Sequence, residues 1–414
     1  MRNLLLVLFV FSFATARAQT LGFTFAEGQK RADIPIQIHN NLIVVSVTLN
    51  EALPLKFIVD TGVRTAILTQ KIFSDILDLK YTRKYTIAGP GGNKFVDAYI
   101  TNNVSLSLPG INGTPGIDGL GHTLLVLEDD ILELRNYLGV DVHGILGYEL
   151  FSRFVIKIDY KKKVMTLYAP QKFRPGKRFQ ELPMAIEDTK PFILAPLNIN
   201  SDNLLTAKLL VDTGASHGLL LEQTSDKRIV VPQNRVSTIL GRALGGVITG
   251  KIGRVESLEL GKFALPKVIT NFPDPNSYLD TLKHSVTFRN GSVGGEILSR
   301  FTVVFNFPQG KLYLKKNSDF KKPFYLNLSG LEIKAKGSKL DVYEVVDVRD
   351  LSPARKAGVS EGDLIVSVNG ILTKDMNLNQ LNALLNSAPG KKVRVEIERN
   401  KARQRLEFKL ESQI

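Results

Sequence analysis

Phe57-Ile58-Val59-Asp60-Thr61-Gly62 and, 152 residues further on, Leu209-Leu210-Val211-Asp212-Thr213-Gly214 are the stretches that decide the reading of this 414-residue chain. Each is an apolar run ending on an acid, a hydroxyl and a glycine, as expected of a buried strand that enters a tight loop. A small or apolar residue follows (Val63, Ala215), then a second apolar run, Ala66-Ile67-Leu68 or Leu219-Leu220-Leu221. Upstream, residues 42–49 lead into Asn50-Glu51 and residues 193–199 into Asn200-Ser201-Asp202, two strand-and-turn patterns.

A second matching pair closes each unit. Gly147-Tyr148-Glu149-Leu150-Phe151-Ser152-Arg153-Phe154 recurs as Gly294-Gly295-Glu296-Ile297-Leu298-Ser299-Arg300-Phe301 at a spacing of 147, and each copy runs into a hairpin pattern, 155–168 or 302–314. Average residue usage gives Asp-Thr-Gly about 0.07 occurrences in a chain of this length, so two copies in matching flanks mean duplication. Two β-rich lobes follow, residues 30–170 and 171–316. Between the landmarks each lobe carries a glycine-rich turn flanked by alternating residues, Gly89-Pro90-Gly91-Gly92 and Leu244-Gly245-Gly246. An insertion from 109 to 143 has leucine or isoleucine at 127, 131, 134 and 138, a helical spacing that predicts packing outside the first lobe. Glu149 with Arg153, and Glu296 with Arg300, read as surface ion pairs on short helices.

Composition narrows the chemistry. Hydrophobic residues make up 43% and charged residues 23%, enough for a sizeable core. Cysteine is absent, which removes disulfides, thiol nucleophiles and cysteine-held metals; five scattered histidines (39, 122, 143, 217, 284) give no ligand-like spacing, so neither metal nor cofactor is expected. The formal charge of +14 is spread in short groups such as Lys161-Lys162-Lys163, without the aromatic-interleaved stripe of a nucleic-acid surface. Arg2, an apolar stretch over 4–14 and Ala16-Arg17-Ala18 before Gln19 read as a signal peptide over 1–18, giving an exported protein, periplasmic or secreted. No later run is long enough to span a bilayer.

With these residues in view, the two lobes resemble the retropepsin-like aspartic peptidases. The carriers are the two apolar-apolar-Asp-Thr-Gly motifs and the later Gly144-Ile145-Leu146-Gly147, with Gly291-Ser292-Val293-Gly294 as its looser partner. The resemblance implies a mainly β, bilobal pepsin- or retropepsin-like double β-barrel, both lobes fused in one chain and active as a monomer. It assigns Asp60 and Asp212 as the catalytic pair, with Thr61 and Thr213 cross-bracing the two loops and Gly62 and Gly214 admitting close backbone approach and positive φ. The glycine turns, Gly91-Gly92 and Gly245-Gly246, become candidate flaps over a peptide or protein substrate. Two carboxylates meeting across a pseudo-two-fold axis share one proton; the ionised member activates water and the protonated one donates to the scissile carbonyl. Val63 and Ala215 stand where pepsin-like enzymes have a hydroxyl that bonds the carboxylate, so the acidic pKa should rise and activity extend toward mildly acidic or near-neutral pH.

After a basic linker over 317–325, Ser352-Pro353-Ala354-Arg355-Lys356-Ala357-Gly358-Val359 and Gly362-Asp363-Leu364-Ile365-Val366-Ser367-Val368-Asn369-Gly370 closely resemble an α+β PDZ domain of the bacterial protease-associated type, spanning 326–414. Its groove would lie at Gly330, Leu331 and Ile333, beside a helix near 378–386, and would bind a peptide end by strand addition. Glu332, in place of the family's second glycine, opposes carboxylate capture by size and charge, leaving regulation of the lobes as the other role for the module. The reading is an exported aspartic endopeptidase acting through Asp60 and Asp212. A catalytically inactive peptide-binding scaffold on the same fold is its alternative.

Overall fold

The computed structural model describes residues 21–88, 95–200, 203–243, 245–275 and 287–414. The signal-like segment and the Gly91-Gly92 turn lie outside the described residues. Both halves build the same crossing around their motif. Leu53–Val59 runs parallel to Gly144–Leu146, which in turn lies antiparallel to Ala66–Leu68. In the second half Leu204–Val211, Gly291–Val293 and Leu219–Leu221 repeat this arrangement. The late Gly-x-x triplet thus passes between the motif strand and the strand that follows it, and fixes the loop between them.

Alternation in the sequence becomes alternation in burial. Along Arg31–His39, Ala32, Ile34 and Ile36 are buried while Arg31, Pro35 and Gln37 are exposed. Asn50 and Glu51, both at positive φ, begin the three-residue turn that closes the hairpin between Leu42–Leu49 and Leu53–Val59. The hairpins that end the two halves pair with each other: Val155–Asp159 lies antiparallel to Phe301–Asn306, with Ile156 opposite Phe305 and Ile158 opposite Val303. Phe301–Asn306 is buried at every position because both of its faces are covered. Phe301, Val303 and Phe305 enter the apolar core that runs from Phe23 to Leu326 through both halves, whereas Val304 faces a smaller cluster with Val155, Phe173 and Tyr313. Phe151 stands at this junction, its ring centroid 5.4 Å from Phe305 and 5.2 Å from Phe307.

The C-terminal module has its own core and sheet, with strand order Leu331–Lys336, Val342–Val348, Leu364–Val368, Lys392–Arg399, Ala402–Lys409. Ser352 caps its short helix by accepting from the Arg355 amide, and Asn377 with Gln380 forms a capping box on Leu378–Leu385. The segment read as a linker is packed against the lobes. Phe320 meets Phe301 and Phe263, and the Arg300 guanidinium lies 3.5 Å over the Phe324 ring while donating to the Lys322 and Pro323 carbonyls. The insertion also departs from expectation. Leu127 ends the strand Ile117–Leu127, and the helix is only Leu134–Leu138; it packs on Leu42, Val44 and Ile58 of the first lobe as well as on the Leu331–Lys336 strand of the third module.

Phe151→Ala should cost about 3–5 kcal/mol of stability, measured by denaturant unfolding, because its cavity would open against the Phe305 and Phe307 rings where the two halves meet.

Candidate active site

The motif strands deliver Asp60 and Asp212 to the same place. Asp60 N–H donates to the Leu146 carbonyl and Asp212 N–H to that of Val293, each at 2.9 Å, so the late triplet holds both loops in the same way. Immediately behind the acids, each threonine amide donates to the opposite threonine hydroxyl, Thr61 to Thr213 at 3.1 Å and Thr213 to Thr61 at 3.0 Å. Each hydroxyl then donates across the axis to a motif-strand carbonyl, Thr61 to Val211 at 2.6 Å and Thr213 to Val59 at 2.8 Å. Four reciprocal bonds between fully buried groups fix the two loops relative to each other.

The carboxyl groups lie close together in front of this brace: the point where a Cβ on Gly62 would sit is 3.1 Å from Asp60 Oδ1 and 3.8 Å from Asp212 Oδ1. Gly62 N–H donates to Asp60 Oδ1 at 2.6 Å and Gly214 N–H to Asp212 Oδ1 at 2.9 Å. Burial, and then the neighbouring Asp212 charge, raise Asp60 far above the ordinary carboxyl range. Burial also raises Asp212, but the Gly214 amide, the Arg289 guanidinium and the bond from Asp60 all oppose the rise. Both carboxyls are thus raised by their burial, and the pair titrates as a unit that holds a shared proton.

The two glycines do not have positive φ, contrary to expectation; what they supply is space. A Cβ on Gly214 would lie 2.1 Å from Asp60 Cγ, and one on Gly62 3.1 Å from Asp60 Oδ1. Arg64 is a mostly exposed side chain beside Asp188.

A cavity of about 520 Å³ opens from Asp212 and Gly214. Its roof is the Arg235–Ala243 and Gly246–Leu260 hairpin, whose tip pairs Ala243 with Gly246 beside Gly245 and whose Ile239, Arg242 and Ile248 line the space. This is the hairpin read from the sequence as a candidate flap. In the first lobe, Tyr81–Ala88 and Phe95–Leu108 form the corresponding hairpin. The far wall of the cavity comes from the third module, through Gly330, Leu331 and Glu332. Ile333, also read as part of a groove, is buried in that module's core.

Three groups near the dyad escaped the sequence reading. His217 Nε2 and Ser292 Oγ are 2.9 Å apart and line the cavity, and burial followed by the nearby Arg289 charge lowers His217 to about 4. Arg289, paired with buried Glu222 at 2.7 Å, is the cation nearest Asp212 in effect. The available signal was Ser292, where the first lobe has Ile145 in the same triplet.

The two glutamates read as surface ion-pair members are also corrected. Glu149 Oε1 accepts from the Ala66 amide at 3.0 Å while Arg153 bonds the Leu21 carbonyl. Glu296 meets Arg300 at 3.6 Å beneath the surface, and burial raises it to about 7. Both glutamates sit on helices of only four residues that tuck under the motif loops, which turns their side chains inward.

A family model for aspartyl proteases matches residues 45–150 and 195–286, and a model for PDZ domains matches 344–399. Gly330, Leu331 and Ile333 precede the second match. Among solved structures, basic 7S globulin from soybean is similar at 9% identity over 70% of this chain and 95% of that one, with a TM-score of 0.43. The photosystem II D1 C-terminal processing protease is 30% identical over 20% of this chain and 22% of that one, with a TM-score of 0.19. No curated protein matches the sequence.

Gly214→Ala should destabilise the protein by about 1–3 kcal/mol through the clash with Asp60, and Gly62→Ala by clearly less, as thermal unfolding of both variants would show. A carboxyl pair raised by folding keeps a proton that the unfolded chain releases. Stability therefore falls as pH rises above the ordinary carboxyl range. Asp60→Asn should remove that loss and gain about 1–3 kcal/mol at neutral pH relative to the native chain, with the gain shrinking in acid.

Proposed function

From a chain that carries an aspartyl protease domain and a C-terminal PDZ domain, we propose an exported endopeptidase in which Asp60 and Asp212 share the chemistry. The observation that supports this most is the proximity of the two carboxyl groups in front of the reciprocal threonine brace, with Asp212 lining a cavity roofed by a hairpin. An extended peptide lies in the cavity under the Arg235–Ala243 and Gly246–Leu260 hairpin. The ionised member of the pair takes a proton from a water molecule as its oxygen attacks the scissile carbonyl carbon. The protonated member donates to the carbonyl oxygen. Collapse of the tetrahedral species breaks the C–N bond, and the amine leaves with a proton from the pair. No covalent enzyme intermediate forms, and both lobes come from one chain, so a single copy suffices.

The environment of the pair bears on pH. Neither Val63 nor Ala215 offers a hydroxyl to the carboxylates, and burial raises both acids. The singly protonated form consequently persists into the mildly acidic to neutral range.

Cleavage of a proteome-derived peptide library across acidic to neutral pH tests the reading. Activity should follow a bell-shaped profile, and Asp60→Asn or Asp212→Asn should each lower kcat by about 10³-fold or more while the protein stays folded. Folded native protein that binds peptides and never cuts them would favour the scaffold alternative.

A further inference from the structure

The groove of the third module is already occupied by its own chain. Leu331–Lys336 is the outer strand of its sheet, paired on one side only, with Val342–Val348. Against it lies the insertion of the first lobe, and the contacts engage strand backbone as well as side chains. Asn136 Nδ2 donates to the Ala335 carbonyl at 2.8 Å, and Arg135 donates to the Gly337 and Ser338 carbonyls at 3.2 and 2.6 Å. Glu133 pairs with Lys334 at 3.1 Å. Gly139, at φ +65°, brings the chain so close to the first residue of Leu378–Leu385 that a Cβ there would lie 2.5 Å from that of Leu378. Strand addition in a PDZ domain uses the outer strand and the neighbouring helix. Residues 133–139 touch both.

This segment also touches the catalytic apparatus at two points. Leu138 packs with Leu42, Val44 and Ile58, the last being two residues before Asp60 in its strand. Tyr137 lies under the guanidinium of Arg242, 4.9 Å from ring centroid to Cζ, and Arg242 belongs to the flap hairpin and also faces Glu332.

We propose that residues 133–139 are the built-in occupant of the PDZ groove, that an extended peptide lying along Leu331–Lys336 competes with them, and that their displacement frees the flap through Tyr137 and Arg242. The latch is a statement about conformation; only its effect on turnover rests on the proteolytic reading. A groove that must first shed an internal occupant binds an outside peptide more weakly by the fraction of molecules that are open.

Hydrogen exchange on the full-length chain and its Arg135→Ala/Asn136→Ala variant tests this without requiring catalysis. In the variant, exchange over 133–139 and 331–336 should speed up at least tenfold and that over 235–243 should rise with it. Residues 392–399, remote in the PDZ sheet, should be unchanged and so report an intact fold. A mixture of hexapeptides, carboxyl-amidated and free-acid, should bind the variant at least tenfold more tightly than the native chain, protecting 331–336 and exposing 133–139. Equal protection of 331–336 in both proteins overturns the latch, as does peptide protection there with 133–139 still closed. Loosening of 133–139 with 235–243 unchanged overturns the link to the flap. Should the double variant fail to fold, Arg242→Ala removes the stacking on Tyr137 and the charge facing Glu332 but none of the bonds from Arg135 and Asn136 to the strand, and it should loosen 235–243 while leaving 331–336 as protected as before. Absence of cleavage in every protein would count against the peptidase reading and leave the exchange result standing.

Discussion

The reciprocal bonding of Thr61 and Thr213 is the constraint on which the rest of the arrangement depends. Two carboxyl groups brought together in a buried site repel each other when both are charged, and burial alone disfavours the charge. Something must hold them at contact against that repulsion. The threonines do so with groups that would otherwise be orphaned. Each loop leaves an amide and each motif strand a terminal carbonyl in the dry interior, and each is satisfied only by a hydroxyl from the opposite half. Separating the loops would strand all four, so the same bonds that join the halves keep the acids within reach of one proton.

The surroundings then break the symmetry that the duplication set up. The second half places Arg289, His217 and Ser292 about its aspartate, and the first half has apolar Ile145 in the place of Ser292. One wall of the cavity is thereby polar, so the two halves of the site are no longer equivalent.

Much of the core arrangement was legible because duplication shows itself twice. The two Asp-Thr-Gly motifs, their late glycine triplets and the closing hairpins all stand in the structure at matching places, and a hairpin turns at Gly245 and Gly246 in the second half. What could not be read concerns parts without a counterpart. The insertion has no copy in the second half, so nothing in its leucine spacing told which surface it would meet, and it met the third module. Glu149 and Arg153 have the spacing of a helical ion pair, but a four-residue helix tucked beneath a loop turns that glutamate toward the Ala66 amide. The positive φ expected of Gly62 and Gly214 was a local argument. The actual demand, room for the carboxyl pair, is set by the opposite half of the chain.

The pairing of Val155–Asp159 with Phe301–Asn306 has an implication for how the chain comes to be folded. As the polypeptide emerges from the ribosome, the first half can complete its own crossing, yet the outer edge of its closing hairpin has nothing to pair with until some 150 residues more have been made. An apolar strand edge left open for that interval is sticky, and closing it demands a long loop. The halves therefore form one cooperative unit and not two beads on a string: either alone would carry an unfinished sheet and half a core, and a chain cut between them would be an aggregation-prone fragment.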